Sequence, residues 1–152
     1  TFCYIFFIFC NFSYEIYKYE SPVFFLYIIS ICFFTDIGGY VFGKIIKGKK
    51  LSKISPNKTI SGTIGSFILS TVPLVIILSF DYLDLELNLN NIFFCLLISL
   101  ISQLGDLFVS YFKRKAKIKD TGNILPGHGG ILDRVDGIIF AVPFSYLLLK
   151  LI

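Results

Sequence analysis

Long apolar runs, broken only by short polar links, constrain this chain more than any other feature. They cover approximately residues 2–14, 23–42, 60–80, 92–112 and 131–152. A bilayer core of roughly 30 Å takes about 20 helical residues to cross, so four runs have the length of a full span and the first has most of one. Inside lipid every backbone N–H and C=O must be satisfied within the protein, which leaves helices or closed β-barrels. Barrel strands alternate apolar and polar residues. Here the apolar residues are consecutive, which argues for helices. Composition agrees: 55% of the 152 residues are hydrophobic and 16% charged, where soluble domains carry about a quarter charged residues. The sequence therefore predicts an all-α, polytopic integral membrane protein with about five transmembrane helices, in one domain over residues 1–152.

Local signals refine this. Glu15–Ser21 reads as a short polar link, and Pro22 suits the first turn of a helix, where its missing N–H costs nothing. Residues 44–58 carry six lysines and no acid, and Ser55-Pro56-Asn57-Lys58-Thr59 joins a turn-forming proline to helix-capping hydroxyls. In the third span Ser61, Gly62, Gly65 and Ser66 form overlapping small-xxx-small pairs that let helices approach closely in lipid, and Pro73 should kink it. Asp81–Asn91 reads as an acidic link. Cys3, Cys10, Cys32 and Cys95 lie in apolar runs without a CxxC pair, so they read as small buried side chains rather than metal ligands. The chain begins with Thr1 inside an apolar run and contains no Met; we expect it to be the C-terminal part of a longer protein.

Loop charge gives an orientation. Eleven of the fourteen Lys and Arg residues fall in Lys44–Lys58 and Lys113–Lys119. Basic loops stay cytoplasmic, and five alternating spans place both on one side, with the last residue on the other. Asp36 and Asp106 then lie about two turns inside the cytoplasmic ends of spans two and four. Asp133 and Asp136 open span five at that same end, one turn apart on one face. Carboxylates at matched depth on three membrane helices mark a functional cavity, although Asp133 and Asp136 also suit a helix N-terminus electrostatically.

Between spans four and five runs SYFKRKAKIKDTGNILPGHGGILDRVD, residues 110–136. Converging carboxylates suit a hard divalent cation such as Mg²⁺, which commonly bridges protein acids to substrate phosphates. Lys113–Lys119 supplies charge for phosphate oxygens, or serves only as a topology and lipid-contact signal. Gly127-His128-Gly129-Gly130 precedes a helix, where backbone N–H groups can face an anion; the same residues also make an ordinary Pro-Gly turn. His128 is either a phosphate or acid/base group or a turn residue. Together these features describe a nucleoside triphosphate site at the cytoplasmic membrane face, with a lipid as the other substrate.

The chain resembles the C-terminal half of the phosphatidate cytidylyltransferase (CDP-diacylglycerol synthase) family. Ser110, Lys113, Arg114, Lys119, Asp120, Pro126, His128, Gly129, Gly130, Asp133, Arg134 and Asp136 match that family's long signature without a gap. Asp36-Ile37-Gly38-Gly39-Tyr40 is similar to its Asp-x-Gly-Ala-Tyr segment, Ser55–Thr59 to its Ser-Pro-x-Lys-Thr loop, and Gln103–Asp106 to its Gln-x-Gly-Asp. Two positions depart from the pattern: Ser61 stands where the family usually has Glu, and Gly39 where it has Ala.

The resemblance implies cytidylyl transfer from CTP to phosphatidate, giving CDP-diacylglycerol and pyrophosphate with Mg²⁺ required. It implies Asp106, Asp133, Lys119 and Asp120 as catalytic, with Asp106, Asp133 and Asp136 as metal ligands. Ser55, Lys58, Thr59, Ser110, Lys113, Arg114, His128, Gly129, Gly130 and Arg134 are the expected substrate contacts. Expected partners are the two substrates and the bilayer of a bacterial inner membrane; nucleic acid is not among them, and a homodimer is left open. The rival readings are a CTP-dependent enzyme on another lipid, such as a polyprenol-type kinase or CDP-archaeol synthase, and an ion or solute transporter.

Overall fold

A computed structural model of the chain describes residues 2–51, 55, 58–80, 83, 85–118 and 135–150. Six helices account for most of them: α1 (Phe2–Tyr19), α2 (Pro22–Ile46), α3 (Ile60–Leu69), α4 (Val72–Phe80), α5 (Leu89–Lys115) and α6 (Ile138–Leu149). Among the described residues there is no strand, only an isolated bridge between Lys50 and Thr59. The protein is an all-α integral membrane protein.

Helix starts follow local chemistry. Ser21 caps α2 by accepting from the Phe24 N–H at 3.0 Å, with Pro22 in the first turn. Thr59 caps α3 by accepting from Gly62 at 3.1 Å, and Asn88 caps α5 by accepting from Asn91 at 2.9 Å. Each cap satisfies a donor that the helix itself leaves open. α2 stops where Lys47 takes a left-handed conformation (φ 49°).

Several ends differ from the sequence reading. The link expected at Glu15–Ser21 is helical through Tyr19, because nothing in it breaks a helix and Ile16 is fully buried. α5 continues past the apolar run to Lys115, and Lys113, Arg114 and Lys115 form its last turn, where cations meet the negative end of the helix dipole. The kink expected at Pro73 is a full break at Ser70–Thr71. A proline ring clashes with the carbonyl four residues earlier, here Leu69, the last residue of α3. Ser70 and Thr71 hydroxyls donate to the carbonyls of Phe67 (2.7 Å) and Ile68 (2.9 Å), satisfying groups the break releases.

By length and composition three segments are long and apolar enough to cross a membrane: Pro22–Ile46, Ile60–Phe80 (α3 with α4) and Leu89–Lys115. They carry three of the five expected crossings. α6 is 12 residues long with Pro143 inside it, and residues 131–134 and 151–152 of the fifth expected span lie outside the described residues.

α2 is the hub, packed against all five other helices. Toward its N-terminal end the core is large and apolar: Ile28, Ile31, Leu74, Ile98 and Val142 are fully buried. Cys32 and Cys95 are buried as small side chains, whereas Cys3 and Cys10 are exposed on α1, which corrects the expectation that all four are buried. Toward its C-terminal end α2 meets α3 backbone to backbone. A Cβ on Gly38 would stand 2.5 Å from the Gly65 carbonyl oxygen, so only glycine permits this approach. Ser66 donates to the Thr35 carbonyl at 2.7 Å across the same seam.

Candidate active site

The close seam of α2 and α3 leaves room for a cavity of about 290 Å³ beside α5. α2 contributes Thr35, Asp36, Gly39 and Tyr40 to its wall. The chain entering α3 contributes Ser55, Lys58 and Thr59, α3 itself Gly62, Thr63 and Ser66, and α5 Gln103 and Asp106. Seven of these side chains are neutral polar ones and three are charged, an unusual concentration for a membrane bundle, where buried polar groups need stated partners.

The carboxylates are met by lysines. Asp106, half-buried on α5, is ion-paired through Oδ2 to Lys58, and its Oδ1 accepts from the Ser110 hydroxyl at 3.3 Å. Asp136 sits in the turn before α6, nearly buried, with Oδ1 accepting from the Gly137 N–H at 3.0 Å and Oδ2 3.7 Å from Lys113. Asp136 also lies within interaction range of Asp106, and Asp36 within range of both Asp106 and Lys58. Acids from α2, α5 and the entry to α6 thus share one electrostatic site, as their matched depth in the sequence predicts. Gly137 allows the last approach: a Cβ there would fall 2.5 Å from Ser102 Oγ on α5.

The other expected site residues divide three ways. Ser55 and Thr59 line the cavity, although the Thr59 hydroxyl is engaged in capping α3. Lys113 is held against Asp136, and Arg114 is exposed in the last turn of α5. Lys119, Asp120, His128, Gly129, Gly130, Asp133 and Arg134 lie outside the described residues. Ser61, where the family pattern has an acid, accepts from the Gly48 N–H at 3.2 Å and contacts the Thr59 hydroxyl at 3.1 Å. It ties the lysine-rich loop to the head of α3 and is not part of the cavity wall.

Thr35, Tyr40, Thr63 and Ser66 were not anticipated as cavity residues. Their signal was available: hydroxyls and glycines recur at three- and four-residue spacing along both helices, the same pattern that predicted close packing.

The donor set tests whether Mg²⁺ fits. The cavity and its margin offer carboxylate, hydroxyl and amide oxygens, the hard ligands that Mg²⁺ prefers. Among the described residues no three His, Cys, Asp or Glu side chains stand close enough to hold a metal by themselves. Mg²⁺ is typically bound by one or two carboxylates together with substrate phosphates and water, so Asp106 with Asp136 fits that habit.

A helical membrane bundle with an acidic, lysine-countered cavity near one end is the class of protein that fold and site define. The chain belongs to the Cytidylyltransferase family, whose model matches residues 1–152. It is 44% identical over 126 residues to the "Phosphatidate cytidylyltransferase" of Staphylococcus haemolyticus, covering 82% of this chain and 48% of that protein. It is 45% identical over 133 residues to the protein of that name from Staphylococcus aureus strain COL, covering 86% and 50%. The chain therefore spans about half the length of the curated relatives it matches.

Proposed function

We propose that this chain carries the catalytic site of a phosphatidate cytidylyltransferase, joining CTP and phosphatidate into CDP-diacylglycerol with release of pyrophosphate. The observation that carries the reading is the meeting of Asp36, Asp106 and Asp136 with Lys58 and Lys113 at one end of the bundle, in a chain whose relatives bear that name.

The chemistry follows from charge. The phosphate of phosphatidate is anionic near neutral pH, so its oxygen attacks the α-phosphorus of CTP without a strong general base. The new P–O bond forms as the bond to the β-phosphate bridge breaks, and the electron pair leaves with pyrophosphate. The barrier lies in gathering anions and in the charge that develops on the leaving group, which positioned cations relieve. Lys58 reaches the cavity from the α3 side and Lys113 flanks it from α5; their task is to hold phosphate oxygens in register. Asp106 and Asp136 would hold Mg²⁺, with Asp133 as the further ligand expected from the sequence. The ion when bound supplies Lewis-acid stabilisation of phosphate charge.

The positive-inside tendency places the two lysine-rich segments, Lys44–Lys50 and Lys113–Lys117, in the cytoplasm. A soluble nucleotide would thus enter from the cytoplasmic side of a bacterial inner membrane, while the lipid's tails stay in the bilayer. The test is Mg²⁺-dependent release of pyrophosphate from CTP when phosphatidate is added to the purified protein in detergent. Release that requires all three components supports the reading; an intact protein that releases none overturns it.

A further inference from the structure

We propose that Lys58 is a transferable counter-ion: it neutralises Asp106 until a nucleotide's phosphates draw it away, so that the divalent cation and the triphosphate load together. This rests on the cytidylyltransferase reading of the cavity and adds a device for filling it.

Four features of Lys58 carry the inference. Its backbone is fixed: its carbonyl accepts from Leu51 at 2.8 Å, its N–H donates to Ser55 at 3.1 Å, and the next residue bridges to Lys50. Its side chain is a flexible four-carbon arm ending in a point charge, so the ammonium can move while the loop stays. It lines the same cavity as Asp36 and Asp106, within reach of any anion bound there. Finally, both oxygens of Asp106 are already engaged, Oδ2 by Lys58 and Oδ1 by Ser110. A hard cation that requires Oδ2 has to displace the ammonium.

Charge balance shows why displacement needs a nucleotide. Asp36, Asp106 and Asp136 face two ammonium groups, Lys58 and Lys113. A divalent cation alone would leave excess positive charge beside the displaced Lys58, with Asp36 its remaining carboxylate among the described cavity residues. A triphosphate offers the ammonium new acceptors at the moment Asp106 is needed for the metal. Each ligand then lowers the cost of binding the other, and the coupling is reciprocal. Lys113 is unsuited to this part, because it projects from a helix and its side chain is only 12% exposed, as is that of Asp136.

The two ligands measured separately give the test. Mn²⁺ binding is followed by electron paramagnetic resonance without nucleotide, and CTP binding by calorimetry in EDTA, on the purified protein in detergent. Lys58→Met should bind Mn²⁺ about tenfold more tightly and CTP about tenfold more weakly, a coupling of ordinary size. Lys58→Arg, which keeps the ion pair, should match the parent in Mn²⁺ affinity. A merely structural lysine would weaken both ligands in Lys58→Met. Unchanged or weaker Mn²⁺ binding in that variant overturns the inference while leaving the cytidylyltransferase reading intact. Failure of the parent protein to bind Mn²⁺ and CTP even when both are supplied together overturns both.

Discussion

The two lysine–aspartate pairs look alike in a list of contacts and differ in what surrounds them. Lys113–Asp136 joins the end of α5 to the turn before α6, with both side chains 12% exposed and 3.7 Å between the charged atoms. Lys58–Asp106 joins a loop to mid-α5, with side chains 29% and 26% exposed to a cavity. A buried pair is costly to break because it strands a charge, whereas a pair open to water contributes little to stability. The first therefore ties helices together, and the second is free to exchange partners. Lys113 and Asp136 thus add a packing role to their proposed place in the site, whereas Lys58–Asp106 is suited to loading.

Substitutions should separate these roles. The largest effect belongs to Asp106→Asn, which removes the carboxylate that Lys58 and Ser110 both engage. Turnover of CTP should fall by about 100-fold or more, with the helical circular dichroism of the parent protein retained. Asp136→Asn should act on stability as well as activity. Lys113 keeps its remaining contacts but loses this carboxylate, at a cost of about 3 kcal/mol, read as a lower midpoint in denaturant titration of detergent-solubilised protein. Gly38→Ala tests whether the α2–α3 seam sets the Lys58 side of the comparison. Its new methyl would meet the Gly65 carbonyl, so separation of the helices should cost about 1–2 kcal/mol and lower CTP affinity without disturbing the Lys113 pair. Lys58→Met should have the smallest effect on stability, within about 1 kcal/mol, by the same denaturant titration.

Much of this was legible in the sequence. Consecutive apolar residues gave the membrane class, and Ser21-Pro22 and Thr59 marked helix starts that the fold keeps. Counting turns inward from the basic loops placed Asp36 and Asp106 at one depth, and the structure brings them within range of each other. Helix ends were less legible: α1 runs on to Tyr19 because Ile16 finds a buried place, which is a tertiary fact. The break ahead of Pro73 depends on Ser70 and Thr71 bonding back to α3. Nor does any spacing say that Lys58, among the described lysines of its segment, meets Asp106. That choice follows from the turn that fixes its backbone and from the glycines that bring α3 against α2.

The most direct measurement compares CTP labelled at the α-phosphate with CTP labelled at the γ-phosphate, each incubated with phosphatidate, Mg²⁺ and the purified protein. The account predicts label in the lipid fraction from the α position only, with the γ label leaving as pyrophosphate. Lipid labelled from the γ position, or no lipid labelling from either by folded protein, would contradict it.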